Sequence, residues 1–212
     1  MPLRLLDSMT FTGAVALRYA RAARLGRNQP MRQIAAGLFI SLDGVVEAPE
    51  KWTGPYFNDE VGQAVGKLMA PNDAMLLGRL TYEGFAAAFG GQSGGMADQM
   101  NSTPKYVVSD TLASADWQNS TLISGQRVDV ASQVSQLKRQ PGQTIGMSGS
   151  STLVSWLLRQ GLLDQLDLLV FPVVLGAGKR LFSEPDGQVP MKLAGSEAFG
   201  TGVVHLTYAP AS

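Results

Sequence analysis

Strand and helix patterns alternate along the chain from about residue 32 onward. Continuous apolar runs of strand length, such as IAAGLFIS at residues 34–41, end in turn-forming residues and are followed by segments with one apolar helical face. Strands are predicted at residues 33–41, 74–77, 105–109, 120–124 and 144–147. Helices are predicted from Asn58, a capping residue, to about Met69, from Gly78 onward, over residues 128–139, and from Ser151 onward.

The pattern changes after Gly161, where strands follow one another with no helix between them. These strands are predicted at residues 166–175, 191–197 and 203–209. Alternating strands and helices favour a parallel sheet covered on both faces, whereas consecutive strands favour antiparallel pairing. The pattern therefore predicts an α/β fold, a three-layer α/β/α sandwich with a mixed central sheet.

The composition limits the class of protein further. A chain of 212 residues, 45% hydrophobic and 16% charged, has the length and balance of one globular domain. Seventeen basic and seventeen acidic residues give no electrostatic support for nucleic-acid binding. The absence of cysteine excludes a disulfide scaffold and a thiolate metal site, and it favours a reducing, cytoplasmic setting. No apolar stretch is long enough to span a bilayer.

The first thirty residues differ from the rest in charge. They contain five arginines and one acidic residue, Asp7. We expect residues 1–30 to be an N-terminal extension, either disordered or added by a start upstream of Met31, and residues 31–212 to be a single domain. An Arg-rich transit peptide is the alternative for the extension.

Two predicted strand-to-helix junctions contain residues that suit an anion. At the first, Gly78 lies where a strand gives way to a helix, and Arg79 and Thr81 add a guanidinium and a hydroxyl. The second is a run of small and hydroxyl residues that opens a helix, namely Ser148, Gly149, Ser150, Ser151 and Thr152. The free N–H groups and the positive dipole end of a helix start attract phosphate. Two such sites on one sheet suit a dinucleotide, whose phosphates are bound at more than one point.

Each junction also has a purely structural interpretation. The first could be a tight turn with a surface arginine, and the second an ordinary helix cap. Neither junction matches GxGxxG or a P-loop, so the Rossmann and P-loop folds are not supported.

Four blocks of sequence resemble the dihydrofolate reductase-like superfamily. They are IAAGLFISLDGVVE (34–47), DAMLLGRLTYEGF (73–85), KYVVSDTL (105–112) and GSSTLVSWLLRQGLLDQLDLLVFPVVLGAGKRLF (149–182). The resemblance is closer to small stand-alone proteins similar to the reductase domain of bifunctional riboflavin-biosynthesis deaminase/reductases. It extends from about Arg32 to Tyr208, and its most specific parts are GRLTYE and PVVLGAGKRLF.

This resemblance implies NADPH bound across the carboxyl edge of the sheet. By motif position, Gly78, Arg79 and Thr81 would hold the adenosine-side phosphates. Ser109 would face the 2′-phosphate or the ribose, and residues 148–152 would cover the pyrophosphate.

The resemblance also implies a position for the nicotinamide ring and a homodimeric assembly. The nicotinamide would lie along the segment from Phe39 to Val46, which includes the SLDG loop. A loop there excludes water and helps to hold the reacting carbons of donor and acceptor close together. A homodimer is expected, formed through the apolar C-terminal strands.

The chain departs from the riboflavin enzymes in two places. They carry a lysine four residues before the serine of their SLDG, where this chain has Gly37, and they lack GRLTYE at the first junction. For a folate substrate the family uses a carboxylate on the helix after the loop, and an ungapped count leads to Asp59, beside Glu60. The helix dipole alone also favours an acid at this place.

Asp43 and three aromatic residues complete the set of candidates. Asp43 is a candidate catalytic residue that would orient the loop or donate to substrate through water, although Asp-Gly also forms turns by itself. Trp52, Tyr56 and Tyr82 are candidates for lining a flat substrate pocket, with aromatic core packing as the alternative. His205, the only histidine, is interpreted as structural, since no metal cluster is evident for it to join. The glycine-rich segment 176–180 is interpreted, by resemblance, as a bend near a subunit contact.

The sequence thus predicts an NADPH-dependent reductase acting on a small pterin- or pyrimidine-like heteroaromatic substrate, with no metal, nucleic-acid or membrane partner. The alternatives are a riboflavin-pathway 5-amino-6-(5-phosphoribosylamino)uracil reductase, a dihydrofolate reductase, and a non-catalytic nucleotide-binding protein of the same fold.

Overall fold

The computed structural model describes residues 3–11, 14–21, 31–125, 127–182 and 187–211. The chain divides into two compact units, Met1–Pro30 and Met31–Ser212. In the first unit, β1 (Leu3–Phe11) pairs antiparallel with β2 (Ala14–Arg21). The sequence predicted neither strand, and the interpretation of residues 1–30 as an extension stays a prediction.

The second unit alternates strands and helices and then ends in strands. Its elements are β3 (Gln33–Ser41), α1 (Asp59–Met69), β4 (Asn72–Gly78), α2 (Arg79–Phe89), α3 (Met96–Ser102), β5 (Lys105–Val108), β6 (Ser120–Ile123), α4 (Arg127–Lys138), β7 (Thr144–Met147), α5 (Ser151–Arg159), β8 (Gln165–Phe171), β9 (Met191–Ala198) and β10 (Val204–Pro210). Two 3₁₀ turns, Pro49–Lys51 and Gly54–Tyr56, lie between β3 and α1. Within the described ranges, no helix has the length and apolar character needed to cross a membrane.

These strands form one eight-stranded sheet in the order β6-β5-β4-β7-β3-β8-β10-β9. Neighbouring strands from β6 to β8 are parallel, whereas β10 pairs antiparallel with both β8 and β9. The three-layer α/β/α sandwich with a mixed central sheet is therefore confirmed, together with its antiparallel end.

The alternating burial of β3 gives its two faces different surroundings. One face belongs to the main core, which also contains residues of α4 and α5, and it consists of Ile34, Ala36, Leu38 and Ile40. The residues between them face the side of α1, α2 and α3, where two smaller cores are centred on Phe171 and on Trp117. A strand with both faces covered reads as a continuous apolar run, which explains why IAAGLFIS lacks polar alternation.

The helix boundaries follow from local capping and from proline. The Asn58 side chain accepts a hydrogen bond from the Val61 N–H at 3.1 Å, as predicted for the start of α1. Strand β8 ends at Phe171, four residues before its predicted end, because Pro172 has no N–H to donate to a neighbouring strand. Helix α3 was not predicted.

A buried lysine closes the C-terminal end of α3. The Lys105 Nζ donates to the carbonyl oxygens of Met100 and Thr103, each at 2.7 Å, and lies 4.2 Å from the ring centre of Trp117. Burial lowers the pKa of Lys105 to about 8. The side chain therefore satisfies carbonyls that a helix end leaves without N–H partners.

Candidate cofactor and substrate site

The two junctions predicted from the sequence meet at the carboxyl edge of the sheet. Strands β4 and β7 are parallel neighbours, and each runs into the start of a helix, α2 or α5. A methyl group at Gly78 would lie 2.6 Å from the Ser150 Oγ, and one at Gly149, whose φ is +133°, would lie 2.9 Å from the Thr81 Oγ1. The absence of side chains at both glycines therefore allows the two helix starts to approach each other.

A cleft of about 250 Å³ opens beside these helix starts. Its lining combines both junctions with the ends of β5 and β6, and consists of Gly78, Arg79, Val108, Asp110, Gly125, Val130, Ser150, Thr152, Leu153 and Trp156. The Arg79 Nη1 lies 3.1 Å from both carboxylate oxygens of Glu83, one helical turn away, and both side chains are partly exposed. The cleft thus contains a guanidinium, hydroxyls and helix N-terminal amides, which suit an anionic ligand.

Some predicted cofactor residues lie beside the cleft rather than in its lining. The Thr81 Oγ1 occupies the space that a side chain at Gly149 would need, and Ser151 is buried in the first turn of α5. Ser109 turns inward, where its Oγ accepts hydrogen bonds from the N–H groups of Thr111 and Leu112 at 3.1 and 3.0 Å.

Asp110, two residues after the end of β5, lines the cleft instead, and its Oδ1 accepts a hydrogen bond from the Gly125 N–H at 3.3 Å. Val46 is partly buried against the main core, and its N–H donates to the Lys179 carbonyl at 2.9 Å.

Lys179 is a cation at this site that the sequence interpretation missed. Its Nζ donates to the Thr152 Oγ1 at 2.7 Å, and its backbone N–H donates to the Glu47 carboxylate at 3.0 Å. Thr152 is in the first turn of α5 and lines the cleft. The GAGKRLF segment was recognised in the sequence but interpreted only as a bend, because nothing local shows which helix the lysine reaches.

A second cavity, of about 330 Å³, lies between the sheet and helices α1, α2 and α3. We call it the apolar pocket; it is lined by Ala35, Gly37, Phe39, Pro49, Val65, Leu68, Met69, Asn72, Met75, Phe85, Phe89, Met96, Met100, Met147, Ser148, Asp167 and Leu169. Phe39, a predicted nicotinamide neighbour, is in this lining. Ser148 lines the apolar pocket and Ser150 lines the cleft, so the segment 148–150 separates the two cavities.

The carboxylate of Asp167 lies at the wall of the apolar pocket. Its Oδ1 accepts from the Thr207 Oγ1 at 2.7 Å and lies 2.9 Å from the His205 Nε2, and its Oδ2 accepts from the Gln165 Nε2 at 2.8 Å. Burial by itself would raise the pKa of Asp167, but the hydrogen bonds from His205, Gln165 and Thr207 outweigh it and hold the pKa below its ordinary value. No local pattern indicates this carboxylate, because two of its three partners, His205 and Thr207, are on β10, far along the chain.

The predicted substrate aromatics are core residues in the structure. Trp52 and Tyr56 pack edge-on against Phe171, with ring centres 5.6 and 6.3 Å from it. Tyr82 is buried, and its hydroxyl oxygen accepts a hydrogen bond from the Trp117 N–H at 2.7 Å. None of Trp52, Tyr56 and Tyr82 lines the apolar pocket, so among the described residues the core interpretation fits these three.

The two carboxylates predicted to be catalytic, Asp43 and Asp59, also lie outside the apolar pocket. Asp43 accepts hydrogen bonds from the Ser41 Oγ at 2.6 Å and from the N–H groups of Leu175 and Gly176 at 3.1 and 2.9 Å. These bonds, that from Ser41 above all, hold the pKa of Asp43 well below its usual range. Asp43 therefore organises the loop, which favours the structural interpretation. Asp59 is exposed in the first turn of α1.

The comparisons with known proteins agree with this fold. Residues 32–205 match the family model described as the RibD C-terminal domain, and the chain belongs to that family. Membership supports a reductase-like function. The Bacillus subtilis protein YyaP, whose name states no activity, is 26% identical over 196 residues, covering 85% of this chain and 96% of that protein.

Two solved structures show the same architecture at low sequence identity. A pyrimidine reductase-like protein from Corynebacterium diphtheriae has a TM-score of 0.62 at 12% identity, covering 85% of this chain and 92% of its own. Dihydrofolate reductase from Enterococcus faecalis, solved with NADP(H), has a TM-score of 0.57 at 15% identity, covering 85% of this chain and 97% of its own. The fold is therefore dihydrofolate reductase-like, of the riboflavin reductase type.

Proposed function

We propose that this protein is an NADPH-dependent reductase of a small heteroaromatic substrate. The observation that carries the proposal is the position of the segment 148–150, which has an anion-suited cleft on one side and the apolar pocket on the other. A reductase needs two neighbouring sites of this kind, one for the charged part of its cofactor and one for a ring that is reduced.

The residues of the cleft fit the diphosphate of a dinucleotide. Residues from the starts of α2 and α5 line this cleft, and N–H groups at a helix start, which lack partners within the helix, can donate to phosphate oxygens. The guanidinium of Arg79 and the hydroxyl of Thr152 would hold phosphate oxygens, and the ammonium of Lys179, already at Thr152, would add a second cation. When bound, NADPH supplies a hydride to the substrate.

The residues of the apolar pocket would orient the substrate and exclude water. Five of its lining residues are methionines, whose flexible side chains adapt to a ligand's shape. Phe39 and Leu169, on adjacent strands of the sheet, supply a flat apolar wall. Orientation in a dry pocket is the main contribution of the protein, because hydride chemistry resides in the cofactor.

A general reductase is favoured over the two named pathways. At Gly37 this chain lacks the lysine of the riboflavin enzymes, and that glycine lines the apolar pocket. The carboxylate proposed for folate recognition, Asp59, is exposed and outside that lining. The residues that would recognise either pathway substrate by family pattern are therefore not those found at the pocket.

Titration calorimetry with NADPH tests the cofactor proposal. We expect wild-type protein to bind NADPH and Arg79→Ala to bind it about tenfold more weakly, the lower end of the effect of a charged hydrogen bond since Arg79 is partly exposed and shared with Glu83. Arg139→Ala is the control, because the Arg139 guanidinium donates to the Ser135 carbonyl on α4, outside the cleft lining. A wild-type protein that does not bind NADPH contradicts the proposal.

Turnover distinguishes the substrate classes. Oxidation of bound NADPH is followed by absorbance with dihydrofolate and with the riboflavin-pathway pyrimidine as acceptors. If neither acceptor oxidises NADPH, both pathways are excluded and a reductase of another heteroaromatic substrate remains. If NADPH binds but no heteroaromatic acceptor oxidises it, a non-catalytic nucleotide-binding protein is favoured. A titration with NADH in parallel measures how much the 2′-phosphate of NADPH contributes to affinity. This comparison is informative because a carboxylate, that of Asp110, belongs to the cleft lining and would repel a phosphate placed beside it.

We also propose a cytoplasmic homodimer. The cysteine-free sequence favours a reducing compartment. Strand β9 lies at one edge of the sheet and exposes half of Leu193, which suits pairing with a second copy. Sedimentation of wild-type and Leu193→Glu protein tests this: a dimer that the substitution dissociates is expected, and a monomeric wild type contradicts it.

A further inference from the structure

Among the residues that the structure describes, the lining of the apolar pocket contains hydrogen-bond acceptors and one carboxylate but no cationic side chain. Asp167 is the carboxylate, and Asn72 contributes an amide. Neither lysine, arginine nor histidine is among these described lining residues. An anionic ligand would therefore enter this pocket with no charge to pair with, whereas a ligand with N–H donors would find acceptors.

Asp167 retains capacity for a further donor. Its Oδ1 is shared by Thr207 and His205, and its Oδ2 accepts from Gln165 alone among the described residues. A carboxylate accepts about four hydrogen bonds. One acceptor position on Oδ2 therefore remains, on a buried residue whose carboxylate is held in place by three partners.

Asn72 contributes an amide to the same lining, packed closely over Gly146. Its Oδ1 is fully buried and has no hydrogen-bond partner among the described residues, so a ligand in the pocket does not reach this oxygen where it lies. Asp167 is therefore the acceptor on which the recognition of a donor depends.

Gly37 keeps the wall beside Asp167 open. The two residues are register partners on the paired strands β3 and β8. Among the described residues, a methyl group at Gly37 would meet only the Leu68 Cδ1, at 3.8 Å, so a glycine is not required there for packing. The missing side chain instead leaves room in the pocket at the level of the carboxylate.

We propose that Asp167 is the specificity-determining residue of the apolar pocket, and that the pocket takes a flat, largely apolar ring system carrying an amino or amidine-like group. This inference rests on the proposed function, since it describes the substrate of the same site. The ring packs against the methionines and Phe39, and an N–H of its amino group donates to the Asp167 Oδ2. The carboxylate is on a strand of the sheet, not on the helix where the sequence placed it.

Two bicyclic probes of nearly the same shape test the donor requirement. 2-Aminobenzimidazole carries a guanidine-like set of N–H donors, and 2-methylbenzoxazole carries none. We expect the amino probe to bind wild-type protein about 10- to 100-fold more tightly by calorimetry, the effect of hydrogen bonds to a charged acceptor. Equal affinities for the two probes would overturn the proposal.

Two variants locate the site. Asp167→Asn is expected to lower the affinity for the amino probe to about that for the methyl probe and to leave the methyl probe unchanged. Gly37→Val, which leaves the Asp167 hydrogen bonds intact, is expected to abolish binding of both probes. Unchanged binding of the amino probe to either folded variant overturns the proposal. If Asp167→Asn does not fold, the wild-type comparison and Gly37→Val decide.

Separate titrations with NADPH distinguish this inference from the proposed function. Gly37→Val is expected to bind NADPH phosphates in the cleft as wild type does, so its NADPH affinity changes less than tenfold. A wild type that binds the amino probe selectively but not NADPH refutes the cofactor proposal alone. A wild type that binds NADPH but does not distinguish the probes refutes this inference alone.

Discussion

Substitution of Gly78 by alanine tests whether the two helix starts fit against each other. The backbone of Gly78, with φ −81° and ψ 160°, accepts alanine without strain, so any cost is steric. The new Cβ would lie 2.6 Å from the Ser150 Oγ and 3.1 Å from its Cβ. Either Ser150 rotates and loses the capping hydrogen bond that its Oγ accepts from the Leu153 N–H, or the two junctions separate.

Both responses predict a loss of similar size. Losing a serine cap costs about 0.5–2 kcal/mol and overpacking about 1–3 kcal/mol. We therefore expect Gly78→Ala to lower the free energy of unfolding by about 1–2 kcal/mol, or Tm by about 2–8 °C for a chain of this size. Affinity for NADPH should fall as well, because Gly78 and Ser150 both line the cleft.

The same helix supplies a control of opposite sign. Gly84 lies within α2 and has nothing within 4 Å of its added Cβ, so Gly84→Ala should stabilise by about 0.5–1 kcal/mol. A third variant isolates the contact: Ser150→Gly removes both clashing atoms and costs only a few tenths of a kcal/mol as a cap. Urea denaturation followed by tryptophan fluorescence measures all of them.

A Gly78→Ala variant as stable as Gly84→Ala would contradict a steric clash between the two helix starts. Failure of Ser150→Gly to recover most of the stability lost in the Gly78→Ala background would also contradict it, since the cost would then arise elsewhere.

Two further predictions concern stability. Asp43→Asn should destabilise the fold at neutral pH, because an amide cannot accept from Ser41, Leu175 and Gly176 together. The folded-state pKa of Asp43 is below its unfolded value of 3.8, so the stability advantage of wild type over Asp43→Asn is complete above that pH and is lost as the pH falls below it. A difference in the free energy of unfolding that stays constant across this pH range in urea denaturation would contradict the prediction. Lys105→Met should lower the free energy of unfolding by about 1–3 kcal/mol, because the carbonyls at the end of α3 lose their donor. Lys192→Met, at an exposed lysine, is the control and should change it by no more than about 0.5 kcal/mol. Equal effects of the two substitutions in thermal unfolding would argue against the capping role of Lys105.

Much of the fold could be predicted because its signals are local. The apolar run of β3, the Asn58 cap of α1 and the glycine and serine starts of α2 and α5 each lie within a few residues of what they determine. Helix α3 was missed because it has only seven residues and follows a glycine-rich loop, with no side chain capping its start. The Lys105 ammonium that stabilises its end belongs to the next strand, so no helical pattern includes it.

The site could be predicted only where its residues are contiguous. Gly78 and Ser150 were found as two motifs, but their contact depends on the neighbouring places of β4 and β7 in the sheet. Asp167 was missed because two of its hydrogen-bond partners are on β10, where Thr207 is its register partner and His205 lies two residues before Thr207. Aromatic residues in a loop have no periodicity, so Trp52 could not be assigned to core or pocket before Phe171 was placed beside it.

The segment 148–150 also has a consequence for equilibrium binding. Because Ser148 faces the apolar pocket and Ser150 faces the cleft, a ligand that shifts this segment from one side changes the shape of the other side. Any change in affinity produced in this way is reciprocal: the factor by which a cleft ligand alters binding in the pocket equals the factor by which a pocket ligand alters binding in the cleft. Substitutions in these three residues therefore act on the coupling between the two ligands as well as on each affinity.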